Sequence, residues 1–77
     1  MKVYKVLDYS NVNSCDSAVG EIYSALEELN KDEVIQVILD QDWKLKELEE
    51  FISKTKFRIL NIERKDGKII VILGGKQ

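Results

Sequence analysis

A chain of 77 residues with 44% hydrophobic residues, no proline and a net charge of −2 is a single small domain over residues 1–77, with enough apolar content for a core and none of the bias of a disordered segment. It contains no histidine and one cysteine, Cys15, which excludes an internal disulfide, a zinc site built from Cys and His, and any Cys–His or Ser–His catalytic pair. Charge is divided: residues 1–53 carry 5 basic and 12 acidic side chains, whereas residues 54–77 carry 7 basic and 2 acidic.

The first element is "KVYKVLD", where Val3, Lys5 and Leu7 alternate with Tyr4 and Val6, the period of a strand. Lys2, Lys5 and Asp8 are too closely spaced for the apolar stretch of a signal peptide. No apolar run approaches the roughly 18 residues of a membrane span. The expected location is therefore the cytoplasm, with no membrane partner. "YSNVNS" then supplies loop formers. From 17 to 30 the apolar residues Ala18, Val19, Ile22, Tyr23, Ala25, Leu26 and Leu29 recur at helical spacing, with Glu21, Glu27 and Glu28 on the other face and a stop expected at Asn30.

"EVIQVILD" is short and β-branched, which predicts a buried strand. Asp40 and Asp42 are the expected N-caps of a second helix over 43–53, with a stripe of Trp43, Leu45, Leu48, Phe51 and Ile52. Capping accounts for the two aspartates without a cation. Trp43 is expected in the core or as a lid. "FRILNIER" and "KIIVIL" flank Asp66-Gly67, a hairpin signal because both positions tolerate positive φ. The order βαβαββ predicts an α+β fold, a two-layer sandwich with a mixed four-stranded sheet and both helices on one face.

In such a sandwich the last strand presents Ile69, Val71 and Leu73 on one face and Ile70 and Ile72 on the other, so an apolar patch is expected on the open face. Pattern alone leaves open whether that patch docks a partner, forms a homodimer, or consists of strand formers facing solvent. The basic hairpin is a weak signal for nucleic acid. The acidic overall balance opposes it, and Phe57 is the only aromatic on the last two strands. Nucleic acid is not the expected partner.

Cys15 lies just before the first predicted helix, whose unsatisfied N–H groups and positive dipole end favour a thiolate. Asp16 beside it brings a negative charge and, with Ser14 and Ser17, competes for the capping position. By its residues alone Cys15 is either a reactive thiol or a small apolar residue.

The chain resembles the TusA/SirA-type sulfur-carrier family from about Val6 to Gly74. A strand ends in Leu7-Asp8, and a short loop leads to Cys15-Asp16-Ser17-Ala18 where the family has Cys-Pro-x-Pro. There follow "ALEEL", "EVIQVILDQD" for the family's "xVLEVxxDD", "KFRILNIERKDG" for its "GHEVLEVEEEDG", and a last apolar strand. Neither motif proline is present. The resemblance implies a βαβαββ domain in which Cys15 carries sulfane sulfur as a persulfide, one station of a sulfurtransferase relay between a protein donor and a protein acceptor. It implies a carrier rather than a turnover enzyme, with no cofactor and no metal. Lys5, Lys54 or Lys56 would assist an anionic persulfide if the fold brought them near. The alternative is a non-catalytic interaction or regulatory module acting through the open sheet face or the basic hairpin.

Overall fold

The computed structural model describes residues 2–10 and 16–75, residues 16–19 by their backbone alone. The elements are β1 (Lys2–Asp8), α1 (Asp16–Glu27), β2 (Glu33–Leu39), α2 (Asp42–Ser53), β3 (Arg58–Lys65) and β4 (Lys68–Gly74). They form one mixed sheet in the order β1-β2-β4-β3, with β1 and β2 parallel and β4 antiparallel to both of its neighbours. The architecture is the expected α+β sandwich of two layers.

Alternation along the two central strands divides the faces. Ile35, Val37 and Leu39 of β2 are buried in register with Leu73, Val71 and Ile69 of β4. The same cluster contains Ile22, Ala25, Leu26 and Leu29 from the first helical segment and Leu45, Leu48 and Ile52 from α2. Both helices therefore cover one face. Tyr23 of α1 meets Phe51 of α2 and Phe57 edge-on, each at 6.0 Å between centroids, where the helices adjoin.

The β3–β4 turn is the two-residue hairpin expected at Asp66-Gly67. Both residues have positive φ (52° and 76°), and Lys65 pairs with Lys68 across the turn. Register shifts between Val3 and Lys5 in β1, and between Ile59 and Asn61 in β3, interrupt the two outer strands. Bulges combined with lysine and arginine discourage the addition of a further strand at either edge.

The first helix differs from the predicted 17–30. It opens at Asp16 and closes at Glu27, because the amides of Glu28 and Leu29 bond carbonyls three residues back, Ala25 (3.1 Å) and Leu26 (3.2 Å). Asn30 instead begins a turn. Its amide donates to Glu33 Oε1 at 2.9 Å, and its carbonyl accepts from the Glu33 amide at 3.1 Å. Leu29 still reaches the core beyond the helix.

The aspartate caps of α2 are also corrected. Gln41 occupies the N-cap in extended conformation, with no side-chain capping bond. Asp40 is drawn to Lys44, and Asp42 lies in the first turn against Arg64 at 3.1 Å. Both partners of the second pair are exposed, so it contributes little. Trp43 is 45% exposed and outside the core. Leu45, Leu48 and Ile52 set the phase of the helix, and position 43 falls about 100° away from position 44, which that phase directs inward.

Candidate functional site at the carboxyl ends of the parallel strands

Because β1 and β2 run the same way, the chain leaves both at one rim of the sheet, and each exit leads to a helix N-terminus. Crevices at the carboxyl ends of parallel strands are the usual place for function in such layouts. The β3–β4 turn reaches the same rim, since β3 runs parallel to β2.

The exit of β1 is built from Asp8, Tyr9 and Ser10. Asp8 Oδ1 accepts from the Ser10 amide (2.9 Å) and the Ser10 hydroxyl (2.7 Å), an Asx-type turn that starts the loop. Tyr9 extends the ladder, its amide donating to the Ile38 carbonyl at 2.9 Å. Its hydroxyl donates to Glu21 Oε1 on α1 at 2.8 Å. Its carbonyl accepts from Lys44 Nζ on α2 at 3.1 Å. Lys44, only 3% exposed, also donates to Asp40 Oδ1 at 2.7 Å. Its ammonium lies 5.7 Å from the Trp43 ring centroid, so Trp43 does flank a buried group after all.

Sequence reasoning missed Lys44. The signal was present: position 44 continues the inward row 44, 48, 52, and Asp40 stands four residues ahead of it as a charge partner.

The two Ser10 hydrogen bonds, with the nearby positive charge of Lys68 as a smaller cause, hold the Asp8 carboxyl below its ordinary value. A carboxylate whose folded value lies below the unfolded one stabilises above the unfolded value, about pH 4, and that contribution is lost as pH falls through the lowered folded value. Wild type and Asp8→Asn are therefore expected to differ in urea stability at neutral pH and to converge in acid. A gap persisting unchanged to about pH 2 would remove Asp8 as its source.

Cys15 itself lies outside the described residues; α1 opens at Asp16, the residue after it. Lys54 and Lys56, the suggested helpers, are at the opposite end of the sheet, where α2 finishes. Lys54 is the C-cap of that helix, and Lys56 lies 3.7 Å from Glu27. Lys5 is exposed in mid-strand, in register with Ile35. None of the three lies at the β1 exit. Beside that rim an open groove of about 380 Å³ runs between the start of α2 and the hairpin, lined by Asp40, Asp42, Arg64, Lys65 and Lys68 among others.

The uncovered face of the sheet carries the expected apolar residues. Val6, Ile38, Ile70 and Ile72 share that face by register, and Val3 and Leu60 flank it at the outer strands. Val3, Val6 and Leu60 are exposed by 51%, 53% and 43%. Gly74 allows a close approach here: a Cβ at that position would lie 3.1 Å from both Leu60 Cδ1 and Val34 Cγ1.

Among the described residues no cluster of three His, Cys, Asp or Glu side chains could hold a metal ion, and no helix is long and apolar enough to cross a membrane. Comparison of the chain with protein-family models and with curated proteins finds no match.

Proposed function

We propose that this protein is a small cytoplasmic sulfur carrier of the TusA/SirA type, which accepts sulfane sulfur as a persulfide on Cys15 and passes it to a partner protein. One observation carries the reading: the βαβαββ order, with α1 opening at the residue after Cys15, agrees with a design in which a thiol meets a helix N-terminus. The Cys15 thiolate would attack the outer sulfur of a donor persulfide. The donor S–S bond breaks, the donor leaves as a thiolate, and the transferred sulfur remains bonded to Cys15. A second thiolate attack, by the acceptor, removes it. No net electron, metal, cofactor or general base is required, so the absence of histidine is no obstacle.

Intact mass of the native protein after incubation with a sulfane-sulfur donor tests this, beside Cys15→Ala. The expected result is a gain of one sulfur atom by the wild type and none by the variant. If the wild type takes up nothing, and its thiol resists alkylation until the chain is unfolded, the carrier reading falls.

The exposed apolar face favours a second reading, a non-catalytic module that binds a protein partner or a second copy through the sheet. That module does not need an accessible thiol, and alkylation under native conditions separates the two readings.

A further inference from the structure

Among the described residues, Lys44 is the one charged side chain that is buried. Sulfur transfer does not call on it, and stability gives no evident reason for it. Taking an ammonium and a carboxylate out of water offsets much of their attraction, and a hydrophobic residue of similar shape is often as good or better. Apolar residues at 44 and 40 together would complete the row with Leu48 and Ile52 without burying an ammonium.

What the lysine supplies is direction. Among the described residues Tyr9 is held by its amide to Ile38 of β2, by its hydroxyl to Glu21 of α1, and by its carbonyl to Lys44 of α2. Lys44 is itself fixed by Asp40, the first residue beyond β2. The lysine thus staples the two parallel strands together at their exits.

We infer that Lys44 is a positioning residue: by gripping the Tyr9 carbonyl from a site anchored on Asp40, it sets the direction in which the chain leaves β1 toward Cys15. The orientation of Tyr9 and Ser10 stands on the described geometry, and only its consequence for Cys15 rests on the carrier reading.

The test is Lys44→Met in the full chain, with three readouts: urea stability, amide hydrogen exchange by peptide, and the rate of Cys15 alkylation. The expected result is some loss of stability, because Asp40 and the Tyr9 carbonyl lose their donor, together with exchange in residues 9–16 about tenfold faster while β4 is unchanged. Alkylation of Cys15 is expected to change by about fivefold or more. A merely structural lysine would give a different pattern, with exchange rising across the whole sheet in proportion to the lost stability; that pattern, or no change in residues 9–16, overturns the inference. Should Lys44→Met not fold, Asp40→Ala, which removes the acceptor, reads the same segment with the lysine in place. A local rise of about threefold is then expected, and its absence is equally fatal. Sulfur uptake by the wild type is scored separately, so the carrier reading and the role of Lys44 can each fail alone.

Discussion

Leu26→Ala is expected to lower the stability of the domain by about 3–4 kcal/mol, the usual range for a leucine removed from a core that relaxes only partly. Leu26 is 0% exposed and lies on the one helix that spans the parallel pair, among side chains of both layers. A domain of this size has roughly 4–11 kcal/mol in total, so the loss takes about a quarter of it or more. The midpoint of thermal unfolding should fall by about 12–32 °C. In urea, the midpoint should drop with the slope unchanged, since the surface exposed on unfolding is the same. Leu60→Ala is the control: its side chain is 43% exposed on the open face and should cost under about 1 kcal/mol. Equal losses from the two would mean that the helices do not close over the face assigned as the core.

The same residues show how far the fold was legible. The row Ile22, Ala25, Leu26, Leu29 is periodic enough that only the helix end was misjudged, and that end depends on hydrogen bonds three residues back that no spacing rule reports. The Asp66-Gly67 turn was legible because two successive positive φ values admit few residues. The strand order was less so. The apolar run of the last strand is read in the sequence as a patch on the open face, and its place between β2 and β3 is fixed only by the register of Ile69, Val71 and Leu73 on β2 and by its pairing with β3. At the site, pattern reading went wrong on α2. Trp43 is expected in the core or as a lid because it is large and apolar, and Lys44 is not singled out at all. The helical phase set by Leu45, Leu48 and Ile52 leaves Trp43 exposed and turns Lys44 inward. A hydrophobicity pattern assigns a buried lysine to solvent unless its partners are sought, and here they were Asp40 four residues earlier and a backbone carbonyl 35 residues away.

Val71→Asp is expected to prevent folding at 25 °C, whereas Ile72→Asp should leave a folded domain, although the two positions are adjacent on one strand. Val71 is 0% exposed and pairs with Val37 and Ile62 on the face beneath the helices. An aspartate there must either bury a charge or fold protonated without a partner, and that cost of several kcal/mol matches or exceeds what a domain of this size has. Ile72 is half-buried on the open face between Gln36 and Asn61, where a carboxylate reaches water. The cost there is the lost side-chain packing and β-propensity, about 1–2 kcal/mol. Circular dichroism and urea unfolding of the two variants check the contrast, and an unfolded Ile72→Asp would mean that the second face is not open. The folded variant then bears on function. Loading of Cys15 from a small sulfane donor involves no protein surface, so Ile72→Asp should load as the wild type does. A variant that loads normally but no longer delivers sulfur to a purified acceptor would place the open face in the transfer step, making the apolar patch part of the carrier rather than the mark of a different kind of protein.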